Sequence, residues 1–229
     1  MSRPLQAVVF DFDGVIANSE PLHLRAFQEA LAEDGIALTA EEYYSRYLGY
    51  DDVGMVQALA RDRELAASNR YITEMVALKG IKMQQMLHAG NVLFPGADRF
   101  IREAARAVPI AIASGALRHE ILEILDCASL RSQFAVVVAS GDTPESKPSP
   151  APYLLAYERL KEASGLGLDR RRCVAIEDSR WGLESARGAG LRCVGVTSSY
   201  AANELEEAEL IVSGLDALTL ESLDRLCES

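Results

Sequence analysis

The sequence predicts an α/β protein with a doubly wound parallel sheet and a helical segment inserted after its first strand. Three observations favour this fold. An apolar run that begins at Ala7 stops at two aspartates, strand patterns are missing from residue 18 to residue 90, and strands alternate with helices from residue 91 onward. Such alternation is typical of βαβ crossovers and a parallel sheet. We therefore expect an α/β core domain (residues 1–17 and 91–229) and a helical cap domain (residues 18–90).

The first apolar run is interpreted as a buried central strand, with Asp11 and Asp13 at its carboxyl end. Open α/β sheets bind ligands at that edge. Two carboxylates against an apolar sheet need a cation, and Gly14 would allow a sharp turn close to a ligand, so the arrangement suits Mg²⁺. The alternative is a hairpin turn at Asp13 and Gly14, with Asp11 as a strand-end cap.

The segment after this strand has the apolar spacing of helices. Ser19 is placed to cap the first helix, and Thr39 with Glu42 forms a capping box for the second. Tyr43, Tyr47 and Leu48 would form the apolar face of this second helix. The expected helices are 21–34, one that begins at 39, 51–67 and 71–88. An insertion directly after two carboxylates predicts a lid.

The remainder of the chain alternates regularly. Strands are expected at 110–113, 134–139, 173–176, 193–197 and 210–212, and helices at 97–107, 118–125, 151–163, 179–189 and 217–227.

Composition limits the classes of function. With 229 residues and a formal net charge of −11, a soluble globular protein is expected, and nucleic acids and anionic membranes are disfavoured as partners. No run reaches the length of a membrane span and the first residues show no secretory pattern, so we expect a cytoplasmic location. The four cysteines show no metal-binding spacing and are interpreted as reduced thiols. No obligate protein partner is evident.

Polar residues also follow three of the later strands. Ser114 and Gly115 could cradle a phosphate oxygen, Lys147 lies in the next loop, and Glu177 with Asp178 ends another strand. Each could instead be a helix cap or a solvated charge. Because all of these positions fall at one edge of one sheet, together with the two aspartates of the first strand, capping alone is a poor explanation.

Four stretches then resemble the sequence motifs of the haloacid dehalogenase (HAD) superfamily. They are Asp11-Phe-Asp-Gly-Val-Ile-Ala-Asn-Ser, Ile112-Ala-Ser114-Gly, Ser146-Lys147-Pro and Ile176-Glu-Asp178-Ser-x-x-Gly182. The helical insert resembles a C1-type cap, and the chain is most similar to the group of β-phosphoglucomutase and sugar-phosphate phosphatases. The resemblance implies a HAD-like Rossmannoid core.

The resemblance also implies roles for these residues. Asp11 would be the nucleophile that forms an aspartyl-phosphate, and Asp13 the general acid and base. Ser114 and neighbouring amides would hold a phosphate oxygen, while Lys147 would neutralise charge on Asp11 and the phosphoryl group.

Metal and substrate ligands are implied in the same way. Asp11, Asp13, Glu177 and Asp178 would hold Mg²⁺. Gly115, His23 and Lys79 would contact substrate, with Lys82 as an alternative to Lys79.

The sequence therefore favours a Mg²⁺-dependent phosphatase that acts on a small phosphorylated metabolite, of which a sugar phosphate is the leading class. A phosphomutase that uses the same residues is the alternative, and a non-catalytic phospholigand-binding protein is the alternative of another class. Dehalogenation is disfavoured because it needs neither Asp13 nor a metal site.

Overall fold

The computed structural model describes residues 3–47, 50, 52–89 and 92–228. The chain forms two compact units, an α/β unit (Met1–Asn18 with Val92–Ser229) and a helical unit (Ser19–Asn91). The strands are β1 (Ala7–Phe10), β2 (Ile110–Ala113), β3 (Val136–Val138), β4 (Cys173–Glu177), β5 (Arg192–Val196) and β6 (Leu210–Val212). The helices are α1 (Glu20–Ala32), α2 (Ala40–Glu42), α3 (Asp52–Asp62), α4 (Asn69–Ala89), α5 (Ala97–Ala107), α6 (Arg118–Cys127), α7 (Ala151–Ser164), α8 (Arg180–Gly188) and α9 (Leu220–Glu228).

The sheet has six parallel strands in the order β3-β2-β1-β4-β5-β6. The predicted doubly wound parallel sheet is therefore confirmed. Strand β1 is central, with Val8 in register with Ile110 on one side and Val174 on the other. Because the chain builds outward from β1 in one direction and then returns to add β4 on its other side, the winding direction reverses between β1 and β4. Ligand sites form at such a reversal, beyond the carboxyl ends of the strands.

The two faces of the sheet are buried by different side chains, as the two-residue period of a strand requires. On one face Ala7 and Val9 belong to a core with Tyr153 of α7. Phe10, which alternates with them, packs edge-on against Phe100 at 6.1 Å between ring centroids. Every residue of β1 is buried, which is why the strand has no polar position until it ends.

The helical unit has its own apolar core. Leu24 and Phe27 of α1 lie with Met55 and Leu59 of α3 and Met75 of α4. Among the described residues, no helix combines the length and apolar character that a membrane span requires.

Local backbone features explain where the helical segment departs from the prediction. The Thr39 capping box is present, with the Thr39 side chain accepting a hydrogen bond from the Glu42 amide. Ser19 directly precedes the first residue of α1, as predicted for a cap, but it has helical backbone angles and its side chain makes no capping hydrogen bond. Helix α3 ends at Asp62 rather than at residue 67, because Glu64 adopts a left-handed conformation (φ 53°) that closes the helix.

The second predicted helix continues from α2 as a π-helical turn, Tyr43–Tyr47, rather than as an α-helix. Its predicted apolar residue Leu48, and Asp51 at the predicted start of the third helix, lie outside the described residues. Helix α9 begins at Leu220 instead of residue 217, and the preceding Thr219 hydroxyl accepts a hydrogen bond from a first-turn amide.

Candidate active site

Asp11 lies immediately after β1, at the carboxyl edge of the sheet. Its backbone N–H donates to the Ile176 carbonyl of β4 at 2.9 Å, which fixes the first residue beyond the strand. Ser114 follows β2 in the same way, with its N–H donating to the Val138 carbonyl at 3.0 Å. Parallel pairing thus brings residues that are distant in sequence to one edge.

Lys147 bridges two of the predicted site carboxylates. Its Nζ donates to Asp11 Oδ1 at 2.5 Å and to Glu177 Oε1 at 2.6 Å, and it lies 5.0 Å from the ring centroid of Tyr153. Burial by itself would lower the pKa of Lys147, but Asp11 and Glu177 raise it above its ordinary value, so the side chain is an ammonium. Burial raises the pKa of Asp11, and Lys147 opposes that shift.

Glu177 is held at both carboxylate oxygens. Tyr153 donates to Oε1 at 2.8 Å, while the Asp178 amide and the Ser179 hydroxyl each donate to Oε2 at 3.1 Å. A side chain at Gly182 would collide with this carboxylate, since an added Cβ would lie 1.9 Å from Glu177 Cδ. The glycine of the fourth motif therefore makes room for the fully buried Glu177.

Asp178 lies beside the turn that follows the first strand. Ser199 donates a hydrogen bond to Asp178 Oδ2, and burial raises the pKa of Asp178 to about 6. Gly14 has φ 81°, and an added Cβ there would lie 1.8 Å from Asp178 Oδ2. Gly14 thus meets two requirements, a left-handed conformation and a close approach to a carboxylate.

Asp11, Glu177 and Asp178 are buried and each offers an oxygen within 4.8 Å of the others. Three carboxylates with one lysine leave an excess of negative charge in a buried place, which a divalent cation with hard oxygen ligands would balance. These residues therefore fit Mg²⁺. Glu177 would have to exchange one of its present hydrogen bonds for the ion.

The remaining predicted core residues line the same edge. Ser114 is buried, and its Oγ accepts the Ala116 N–H at 3.0 Å, so the hydroxyl hydrogen can point toward a phosphate oxygen. Gly115 is exposed, and a Cβ there would meet nothing within 4 Å, so its steric surroundings do not require glycine. Asp13 is partly buried, in the loop that Gly14 closes by donating to the Ala17 carbonyl at 3.0 Å.

The two predicted substrate contacts of the helical unit, His23 and Lys79, touch each other. Lys79 Nζ lies 2.9 Å from His23 Nδ1 and 2.8 Å from both oxygens of Asp52, and only 1% of the Lys79 side chain is exposed. Because an ammonium can only donate, His23 Nδ1 accepts and its ring proton is on Nε2. Lys79, for which the resemblance implied a substrate contact, is held by these partners within the helical unit. The alternative cation, Lys82, pairs with Glu33 at 2.8 Å.

Burial and the adjacent Lys79 ammonium lower the pKa of His23 to about 4, although Asp52 acts in the opposite direction. His23 is therefore a neutral hydrogen-bond donor near pH 7.

A family model described as haloacid dehalogenase-like hydrolase matches residues 5–190 of this chain. The chain belongs to this family, as its four motifs predicted.

Two relatives and one solved structure show what the chain resembles. It is 34% identical to the plasmid protein CbbY of Cupriavidus necator over 91% of this chain and 84% of that protein. It is 30% identical to hexitol phosphatase B of Escherichia coli K12 over 97% and 99% of the two chains. A crystal structure of a CbbY mutant from Rhodobacter sphaeroides in complex with xylulose-(1,5)bisphosphate matches with a TM-score of 0.76 and 29% identity, over 96% of this chain and 99% of that chain. The expected enzyme class, a HAD-type phosphatase, is confirmed.

Sequence reasoning missed three residues that contact the predicted site residues. Ser199 follows β5, so the rule that polar residues at strand ends form the site could have found it. Tyr153 lies within α7 and Asp52 begins α3, where neither has a sequence signal that distinguishes it from an ordinary helical residue.

Proposed function

We propose that the protein is a Mg²⁺-dependent phosphatase that hydrolyses a small sugar phosphate through an aspartyl-phosphate on Asp11. The observation that carries the proposal is the buried Asp11 carboxylate at the sheet edge, with Lys147 at 2.5 Å and two further carboxylates beside it. One Asp11 oxygen is held by Lys147, which leaves the other to attack phosphorus.

The reaction proceeds in two displacements. An Asp11 oxygen bonds to phosphorus while the bond from phosphorus to the leaving oxygen breaks, and Asp13 gives its proton to that oxygen. Water then attacks phosphorus, Asp13 takes up the proton of the water, and the bond between phosphorus and Asp11 breaks. Inorganic phosphate is released and both aspartates return to their starting states.

Other residues of the edge assist the transfer. The Lys147 ammonium offsets the charge of Asp11 and the phosphoryl oxygens, and the Ser114 hydroxyl with the Gly115 amide binds a non-bridging oxygen. Asp11, Glu177 and Asp178, with the Asp13 backbone carbonyl, would hold Mg²⁺. When bound, this ion supplies positive charge for the phosphoryl oxygens and helps to orient them.

A sugar phosphate is the substrate class that the relatives favour. The CbbY mutant was crystallised with xylulose-(1,5)bisphosphate, and the E. coli relative is named hexitol phosphatase B.

Phosphate release measured with and without Mg²⁺, from p-nitrophenyl phosphate and a panel of sugar phosphates, tests the proposal. We expect Mg²⁺-dependent turnover that Asp11→Asn abolishes, because an amide cannot serve as the nucleophile. Asp126→Asn, at an ion pair whose Asp126 carboxylate is 53% exposed, is the matched control and should retain activity. Turnover of Asp11→Asn near the wild-type rate would refute the mechanism. Isomerisation of β-glucose 1-phosphate with a trace of bisphosphate, without phosphate release, would instead indicate a phosphomutase.

A further inference from the structure

The loop that follows β5 is held at both of its ends. At its start, the Thr197 N–H donates to the Val212 carbonyl of β6 at 3.0 Å. At its other end, Tyr200 packs against the apolar core on one face of the sheet. Between these two anchors lie Ser198 and Ser199, both of which are exposed. The loop therefore presents their hydroxyls in a defined place at the carboxyl edge of the sheet.

The two hydroxyls bind to two different parts of the candidate active site. Ser198 Oγ donates to the Gly14 carbonyl at 2.5 Å, in the turn that directly follows Asp13. Ser199 Oγ donates to Asp178 Oδ2. These partners also adjoin each other, since a Cβ on Gly14 would lie 1.8 Å from Asp178 Oδ2 and 3.0 Å from Ser199 Oγ. Asp178 Oδ2 therefore lies between the turn and the Ser199 hydroxyl.

The hydrogen bond to Asp178 differs in kind from those that Lys147 makes to the other two carboxylates. Lys147 donates to Asp11 and to Glu177, and its ammonium offsets part of their negative charge. The Ser199 hydroxyl is neutral, so it can orient Asp178 while leaving the charge of that carboxylate available to a cation. Asp11, Glu177 and Asp178 each offer one oxygen, and these oxygens lie within 4.8 Å of one another.

From these contacts we infer that Ser199 is a positioning residue for the metal site, which holds Asp178 Oδ2 against the Gly14 turn and thereby directs Oδ1 toward the cation. The inference rests on the Mg²⁺ site of the proposed function. Without the hydroxyl, Asp178 would gain rotational freedom, and binding of the cation would have to order the side chain again. Hydrogen bonds to metal-binding carboxylates typically change metal affinity by about 10–100-fold, so the effect of one hydroxyl is measurable.

Direct metal binding tests the inference without any substrate. Mn²⁺, which takes the same oxygen ligands as Mg²⁺, is the probe, and electron paramagnetic resonance of the free ion gives its Kd. We expect Ser199→Ala to raise this Kd by about tenfold or more, and Ser199→Thr, which keeps a hydroxyl, to bind nearly as tightly as the wild type. Ser164→Ala is the matched control, because it removes a hydroxyl that donates to the Lys161 carbonyl at the end of α7, and it should leave the Kd unchanged.

Activity separates a positioning role from a general loss of structure. In Ser199→Ala the Mg²⁺ concentration for half-maximal hydrolysis of p-nitrophenyl phosphate should rise by the same factor as the Kd, whereas kcat should recover at saturating Mg²⁺. An equal Kd for Mn²⁺ in Ser199→Ala and the wild type would overturn the inference, and so would a loss in Ser199→Thr as large as that in Ser199→Ala.

Failure of this inference and failure of the proposed function are distinguishable. Hydrolysis of p-nitrophenyl phosphate by the wild type that Asp11→Asn abolishes would support the phosphatase whatever the Kd of the Ser199 variants. A wild type that hydrolyses no phosphate ester but whose Mn²⁺ affinity depends on the Ser199 hydroxyl would refute the phosphatase and support the role of Ser199.

Discussion

Tyr153→Phe isolates one hydrogen bond at the centre of the site. The Tyr153 hydroxyl donates to Glu177 Oε1 at 2.8 Å, and both side chains are fully buried. A hydrogen bond to a charged group contributes about 1.5–3 kcal/mol to stability, and phenylalanine keeps the ring that lies over Lys147. We therefore expect a loss of about 1.5–3 kcal/mol in the free energy of unfolding of the α/β unit.

Tyr157→Phe is the matched control, because it removes a buried hydroxyl from the same helix. Tyr157 donates to the Leu168 carbonyl at 2.6 Å, a neutral acceptor, and this loss should cost only about 0.5–1.5 kcal/mol. A difference of about 1 kcal/mol between the variants corresponds to roughly 2–4 °C in Tm. Urea unfolding followed by the fluorescence of Trp181, which is the single tryptophan of the chain and lies in α8, reports on the α/β unit.

Activity supplies the second measurement for this pair. Because Tyr153 supports Glu177, which in turn contacts Lys147, Tyr153→Phe should lower turnover or Mg²⁺ affinity by about tenfold, whereas Tyr157→Phe should change neither. If the two variants lose equal stability and keep equal activity, the hydroxyl of Tyr153 does not support the site and the reasoning is wrong.

Two further predictions concern a glycine of the site and the histidine of the helical unit. Gly182→Ala should lower the free energy of unfolding by about 1–3 kcal/mol and kcat by about tenfold, because the new Cβ would displace Glu177. Gly80→Ala is the control in both assays, since nothing lies within 4 Å of the Cβ added there. The pKa of His23 is about 4 in the folded protein and about 6.5 in the unfolded chain. The contribution of neutral His23 to the stability of the folded state is therefore fully present above pH 6.5 and is lost as the pH falls toward 4. The free energy of unfolding should fall by about 2 kcal/mol between pH 7 and pH 5, and this loss should be missing in His23→Gln. An identical pH dependence in both proteins would contradict the lowered pKa of His23 beside Lys79.

Much of the site was predictable because its residues follow strands. Asp11, Ser114 and Asp178 each come directly after a run of buried residues, and parallel pairing brings such positions to one edge of the sheet. The same logic extends to Ser199, which follows β5. Gly14 and Gly182 were also visible in the sequence, but the reason for each, a carboxylate where a Cβ would lie, required the structure.

Residues that act through packing were not predictable. Tyr153 reaches Glu177 only because α7 packs against the sheet, and nothing in its helical spacing sets it apart from a core tyrosine such as Tyr157. Helix ends were misplaced for a related reason, since a single residue such as Glu64 in a left-handed conformation ends a helix whose apolar pattern continues.

The sequence by itself determined the succession of strands and helices along the chain, because this depends on local apolar patterns. It also determined the family and the sheet edge at which acidic side chains gather, because these depend on the motifs and their spacing. Only the tertiary structure decided which charges neutralise one another. Asp52 and Lys79 are 27 residues apart, and their contact depends on how α3 and α4 pack in the helical unit. Pairing between charges that are far apart in the chain acts over a few ångströms in space and leaves no periodic trace in sequence. Lys79, the cation for which the resemblance implied a substrate contact, is therefore paired in the folded chain with a carboxylate of the same unit.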